Sequence, residues 1–300
     1  MLSLVTACMN REAHLRQSLP QWLALTNVGE VLVVDWSNSK SLVDLTSLDP
    51  RVRVIRVEDE PRWILSYAYN LGIALSRYEH ILKCDADCIP GQAVQEIQPD
   101  GNTFYAGYWK SGRAVGKPSV NGQCVLSKQQ FAKTNGYSEV IRAYGRDDED
   151  FYDRLVRAGF ARREISPSGF NFLDHTDEDR MANQAGHGES PPLQGFLQRN
   201  LTFNEMRNYF IGRQMHWGPW FLRATYERRA AGERFEVLRR NRSLEIPVPA
   251  ALTEAATLFA LRYLVGTALQ LPATVSEKLE ERACLALLAE KLREGGGKEG

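Results

Sequence analysis

The stretch His80-Ile81-Leu82-Lys83-Cys84-Asp85-Ala86-Asp87-Cys88-Ile89-Pro90 decides the fold. Its first five residues read as a short strand that runs straight into two aspartates separated by one alanine. Working outward, residues 2–8, 30–35 and 51–57 read as three further strands, with helical patterns at 12–24 and 66–76 between them. Strands alternating with helices imply a largely parallel sheet, and such a sheet presents ligands at the carboxyl ends of its strands. Asp35 and the pair Asp85/Asp87 fall at such ends.

Further along the rhythm changes. Residues 104–109 and 123–126 read as strands, 127–134 as a helix stopped by Asn135-Gly136, and 147–158 as a helix ended by Gly159. Residues 174–192 are rich in Asp, Gly, His, Ser and Pro, and are too long for a simple connection. After Leu193 the pattern reads as helical, divided by Pro247 and Pro249. The expected organisation is an α/β domain over 1–192 with a mixed, mainly parallel sheet flanked by helices, a helical region over 193–294, and a disordered tail over 295–300.

Composition narrows the function. Thirty-seven basic residues balance thirty-seven acidic ones in 300, so no overall field favours nucleic acid, and 43% hydrophobic residues suffice for a substantial core. Five cysteines, an odd number, suit a reducing compartment, and the expected location is the cytoplasm. The first apolar run is shorter than a signal-peptide core and lacks a basic leader, so it reads as a strand. The most apolar helical stretch, 250–271, is interrupted by Glu254 and Arg262 and is read as a packing or dimer surface rather than a membrane span.

Three Asp-x-Asp strings occur, at 85–87, 148–150 and 177–179, so their settings must separate them. Asp85 and Asp87 follow a strand at the ligand-presenting edge. Two carboxylates that close call for a cation, and Mg2+ or Mn2+ shared with nucleotide phosphates suits such oxygen donors. The alternative is a turn bearing two solvated aspartates. In Asp147-Asp148-Glu149-Asp150 the acids crowd the first turn of a helix, where its dipole favours their ionised form. Capping needs one or two acids and the excess points to a general base, with solvated charge as the competing reading. The third pair reads as solvated surface. Between Arg223 and Arg242 lie seven arginines, read as a basic helical patch that either rests on an anionic membrane surface or acidic glycan, or pairs with Glu227, Glu233 and Glu236 as a solvated face.

Taken in order, Leu4-Val5-Thr6-Ala7-Cys8-Met9-Asn10-Arg11, Val33-Val34-Asp35-Trp36-Ser37-Asn38, Asn70-Leu71-Gly72-Ile73-Ala74 and the Asp85-Ala86-Asp87 strand resemble GT-A glycosyltransferases of the large family 2 type. Asn121-Gly122-Gln123-Cys124, Asn135-Gly136-Tyr137 and the acidic helix start with Arg154-Leu155 resemble the catalytic segment of β-1,4-galactosyltransferases. The resemblance covers about residues 2–180 and implies a GT-A fold. It also implies an inverting, metal-dependent transfer of galactose, N-acetylgalactosamine or glucose from a UDP-sugar to a glycan or lipid-linked acceptor hydroxyl.

By position, the resemblance makes Asp148 the base, and Asp150 and Arg154 a structural acid and arginine. Asp35, Asn70, Asp85, Trp109 and Asp147 fall to donor binding, and Asp85, Asp87 and His175 to the Mn2+ or Mg2+ site. Peripheral contact with the inner face of the membrane and a homodimer stand as further readings of the C-terminal region. A nucleotidyltransferase is a rival that would want a Gly-rich basic loop after the first strand, which Thr6–Arg11 lacks. A non-catalytic glycan- or partner-binding protein on the same fold is the other.

Overall fold

The computed structural model describes residues 1–98, 100–174, 201–242 and 245–258. The described residues form two units by their internal contacts. The first comprises 1–142, 147–174, 217–242 and 245, and the second 143–146, 201–216 and 246–258.

In the first unit the chain runs β1 (Leu2–Cys8), α1 (Glu12–Leu23), β2 (Val28–Trp36), β3 (Val52–Glu58), α2 (Leu65–Leu75), β4 (His80–Lys83), β5 (Cys88–Pro90) and α3 (Gln92–Gln95). It continues with β6 (Thr103–Ala106), α4 (Trp109–Ala114), β7 (Cys124–Ser127), α5 (Lys128–Lys133), α6 (Asp147–Arg157), β8 (Ala161–Glu164) and β9 (Phe170–Phe172). In the second unit α7 (Leu201–Gln214) is the first described helix, and residues 250–258 are helical. Strands β10 (Tyr226–Ala231) and β11 (Phe235–Arg240) return to the first unit.

The large sheet has the order β10-β11-β3-β2-β1-β4-β7-β6-β8. Strands β11, β3, β2, β1 and β4 are mutually parallel, and β7 enters antiparallel to both β4 and β6. The expected mixed, mainly parallel sheet is therefore present. Its central strands are apolar on both sides because both sides are covered. Leu4, Val31, Val33, Val54 and Leu82 pack with Leu15, Leu19 and Trp22 of α1. Val5, Leu32, Val34 and Ile55 pack on the opposite face with Tyr67, Ala68 and Leu71 of α2 and with Phe151 and Leu155 of α6. Gly72 lets α2 approach closely, since a Cβ there would sit 2.7 Å from a methyl of Val5 and 2.9 Å from one of Val34.

Two expectations are corrected. The strand expected over 104–109 ends at Ala106, and Trp109 instead opens the short helix α4. The stretch read as a basic helix is the hairpin β10–β11, paired antiparallel and joined in parallel to β3. Tyr226, Phe235, Val237 and Leu238 supply strand-forming side chains, and the edge of β3 offers an unfilled ladder that decides the local conformation. The arginines are correspondingly dispersed. Arg240 is buried against Glu60, Arg223 lies over the Phe131 ring, and Arg228 pairs with Glu236. No helix among the described residues is long and apolar enough to cross a membrane.

In the second unit the Asn208 side chain of α7 donates to the carbonyls of Ala143 and Gly145 at 2.9 and 2.6 Å, and Arg146 lies 5.2 Å from the Tyr209 ring centre.

Candidate active site

Strand β4 delivers Lys83 at its last position and Asp85 two residues later, in a turn closed by the Cys88 N–H on the Asp85 carbonyl at 2.9 Å. The Lys83 side chain is fully buried. A buried ammonium is tolerable only with compensating partners, and Lys83 Nζ has four. It donates to Asp85 Oδ1 at 2.9 Å, to the Gly122 carbonyl at 2.5 Å and to Asp148 Oδ1 at 3.4 Å, and it lies 4.5 Å from the Tyr69 ring centre. Burial disfavours the charged form, but Asp148 and Asp85 outweigh it and hold the Lys83 pKa above its ordinary value.

Asp85 is set in place by three elements. The Tyr69 hydroxyl of α2 donates to Oδ1 at 2.9 Å. The buried Gln123 reads the residue from two sides, donating to Oδ2 at 2.9 Å and accepting from the Asp85 N–H at 3.0 Å. Gly122 is needed beside it, because a Cβ there would stand 2.5 Å from Asp85 Oδ2 and 3.3 Å from Lys83 Nζ. Asp87 is nearly buried, accepts from Arg11 at 3.1 Å, and through its carbonyl receives the Leu173 N–H at 2.8 Å.

Asp148 enters from α6. Its helix is anchored by Phe151, whose ring centre lies 4.4 Å from that of Tyr137, and by Tyr152, whose hydroxyl donates to the Asn121 carbonyl at 2.9 Å. The Tyr137 hydroxyl donates to Asp148 Oδ1 at 3.0 Å, and among the described residues Oδ2 takes no hydrogen bond. Burial pushes the Asp148 carboxyl up to about 6, with Lys83 opposing the shift. Burial, and then the neighbouring Asp148 charge, push Asp147 well above the usual carboxylate range. The site thus presents a carboxylate with one uncommitted oxygen, poised near neutrality, and a separate pair of oriented carboxylates joined to it by one buried cation.

Residues 113–176 match the family model described as the N-terminal domain of galactosyltransferase. The matched segment carries Gln123, Tyr137 and Asp148, whereas Lys83, Asp85 and Asp87 precede it. A Drosophila β1,4-galactosyltransferase 7 variant, solved with manganese, UDP-Gal and xylobiose, superposes with a TM-score of 0.50 at 15% identity, over 85% of this chain and 98% of that one. The chain therefore has the GT-A fold. Glucosyl-3-phosphoglycerate synthase from Mycobacterium tuberculosis, solved with Mn2+, UDP and phosphoglyceric acid, is similar at a TM-score of 0.47 and 13% identity, over 76% of this chain and 83% of that one. No curated protein sequence matches the chain.

The residues expected at the site fall in different places. Asp85, Asp87, Asp147 and Asp148 lie at the carboxyl edge of β4 and the facing start of α6, where Lys83 joins Asp85 to Asp148. Asp150 and Arg154 form the expected structural pair, with Arg154 donating to Asp150 at 2.8 and 2.9 Å and to the carbonyls of Thr134 and Gly136. Trp109 is 39% exposed at the start of α4, outside both core clusters.

Asp35 and Asn70 are corrected. Asp35 is wholly buried, and its oxygens accept from the Asn38 N–H, the Asn38 side chain, the Leu42 N–H and Arg56 at 2.7–3.1 Å. Its carboxylate therefore holds the turn after β2 and is not available to a nucleobase. Asn70 is buried, donates to the Tyr137 carbonyl at 2.9 Å and to Glu139, and accepts from the Tyr137 N–H at 2.7 Å. It positions the segment that carries Tyr137 instead of touching a donor.

His175 lies outside the described residues, as do the third Asp-x-Asp string and the tail. Among the described residues no group of three or more His, Cys, Asp or Glu side chains is placed to hold a metal ion together. Asp85 and Asp87 are nonetheless a donor set that fits a hard divalent cation, being carboxylates two residues apart whose orientation is already fixed by neighbours.

The sequence reading passed over two residues. Lys83 closes a strand expected to be buried, and a lone lysine in such a stretch signals a paired charge. Arg11 ended the first run of the family-like opening, and its partner Asp87 lies 76 positions away.

Proposed function

We propose that the chain transfers a hexose, galactose or a close relative, from a UDP-sugar to a saccharide hydroxyl with inversion at the anomeric carbon. The observation that supports this reading is Asp148. It is buried at a helix start, tied through Lys83 to the Asp85 turn, and retains one oxygen without a hydrogen-bond partner among the described residues.

In the proposed reaction the acceptor oxygen forms a bond to the anomeric carbon while the bond from that carbon to the diphosphate oxygen breaks. UDP leaves with the electron pair, and the acceptor proton goes to Asp148 Oδ2. A divalent ion held by Asp85 and Asp87, Mn2+ by analogy with the Drosophila enzyme's complex, supplies positive charge to the departing diphosphate when bound. Lys83 and Tyr137 fix Asp148 Oδ1 so that Oδ2 faces the acceptor. Arg11 and Lys83 each place a cation beside the aspartate turn. Trp109, exposed on α4, suits the apolar face of a sugar ring. The cytoplasm remains our reading of location, and Cys8, Cys84, Cys88 and Cys124, all buried free thiols, are compatible with it.

The test is a thermal-shift panel of UDP, GDP, CMP and dTDP with and without Mn2+, followed by transfer assays from UDP-sugars. A ligand at 100 times its dissociation constant stabilises by about 2.7 kcal/mol. A metal-dependent shift with UDP, and transfer abolished by Asp148→Asn, are expected. A UDP shift without transfer to any saccharide would favour the binding-protein alternative. No metal-linked shift with any nucleotide would overturn the proposal.

A further inference from the structure

A cavity of about 580 Å3 opens where β10 and β11 meet the carboxyl end of β3. It lies on the same ligand-presenting edge as Asp85, because β11, β3, β2, β1 and β4 are all parallel. Four strand spacings separate β11 from β4, which at about 4.8 Å each puts the cavity roughly 19 Å from the aspartate turn. It is therefore a different place from the site described above, and its volume falls within the range of small-molecule sites.

Four arginines line it, namely Arg229, Arg239, Arg240 and Arg242. Arg240 is committed elsewhere, since it is buried and bonded to Glu60 at 2.8 and 3.1 Å and to Glu245 at 2.9 Å. The other three face only two lining acids. Arg229 pairs with Glu227 at 3.1 Å and Arg239 with Asp59 at 3.1 Å, and every one of these side chains is at least 43% exposed. Ion pairs so exposed are weak and readily exchanged. Arg242 has no ion pair among the described residues. The hairpin also carries an irregularity here. Arg228 is paired with Leu238 and Ala230 with Val237, so Arg229 is an extra residue that a β-bulge turns toward the cavity. Bulges of this kind re-aim side chains beside binding sites.

We propose that this cavity is an anion site for a small phosphate ester bearing hydroxyl groups. Guanidinium groups grip phosphate oxygens in a forked geometry, and three converging on one hollow exceed what the two acids neutralise. Asp59 and Glu227, released from their exposed pairs, would accept from the ligand's hydroxyls. The cavity is open to solvent, and its volume suits a discrete small molecule. This inference is independent of the proposed transferase reaction.

The test is calorimetry of the full chain in EDTA, with glucose 6-phosphate as probe and glucose as the uncharged control. Saturable binding of glucose 6-phosphate, absent for glucose and weakened at least tenfold in Arg229→Gln/Arg242→Gln, is expected. Arg229→Lys/Arg242→Lys, which keeps the charge, should lose less. Both variants should melt within a few degrees of the parent, so that loss of binding is not loss of fold. No saturable binding, binding unchanged in the glutamine variant, or displacement by UDP in a parallel titration with Mn2+ and without EDTA would each overturn the proposal. So would binding to phosphatidate vesicles without binding to glucose 6-phosphate.

Discussion

The Lys83 ammonium lies 2.9 Å from Asp85 Oδ1 and 3.4 Å from Asp148 Oδ1, so one buried charge serves both a carboxylate of the proposed metal turn and the proposed base. Removing it strands two acids at once. Lys83→Met is expected to cost about 3–5 kcal/mol, the usual penalty for deleting one member of a buried ionic group. Urea unfolding measures this directly. Because Lys83 opposes the upward shift of Asp148, the same variant should retain activity only at higher pH than the parent. A parent-like stability and pH profile would show that Lys83 does not serve the two acids as described.

The proposed base gives the parent chain its own pH signature. Asp148 can accept a proton only when ionised, and burial pushes its pKa up to about 6. The transfer rate should therefore fall as pH drops through about 6 and level off above it. Asp148→Asn is expected to lower the rate by about 10²–10⁴-fold while leaving UDP binding intact. A normal rate in that variant would move the base to a neighbouring acid of the same helix start.

Gly122 offers a steric test. A single added methyl would meet Asp85 Oδ2 at 2.5 Å and Lys83 Nζ at 3.3 Å. Gly122→Ala should destabilise by about 1–3 kcal/mol, and the displaced Asp85 should weaken the Mn2+-dependent shift with UDP. Melting curves with and without metal separate the two effects.

The buried pair Glu60–Arg240 staples β11 to the turn after β3, with side chains only 1% and 3% exposed. Arg240→Ala is expected to lower stability by about 3–5 kcal/mol and to increase hydrogen exchange in β10 and β11 first. Unchanged exchange there would mean that strand pairing alone holds the hairpin.

The sequence made the first half of the fold legible because its elements carry strong periods. Residues 2–8 are a largely apolar run buried throughout, and the helix that follows, α1, buries one face through Leu15, Leu19 and Trp22. The hairpin at 226–240 was misread because its charges also fit a helical spacing, while what makes it a strand is the open edge of β3, 180 residues earlier. At the site, the Asp85-Ala86-Asp87 turn and the acidic start of α6 were readable as residue types in a telling place. The roles of Asp35 and Asn70 were not, because a buried polar side chain is defined by which donors reach it. For Asp35 these include Arg56, and for Asn70 the backbone of Tyr137.

The seam between β4 and β7 carries a consequence for how the protein is made. Lys83 is opposite Cys124 in that antiparallel pairing, and the carbonyl and carboxylate that receive its ammonium lie 39 and 65 residues further along the chain. While the ribosome has delivered only the first strands, this lysine has no anionic partner from the second half and no reason to leave water. The contacts that set the aspartate turn, from Arg11, Tyr69 and Gln123, lie earlier in the chain than α6, whereas the proposed base joins them only when α6 has emerged and docked. Synthesis order thus brings the proposed base last, and a chain cut short before α6 would hold the aspartate turn without the carboxylate that completes the Lys83 cluster.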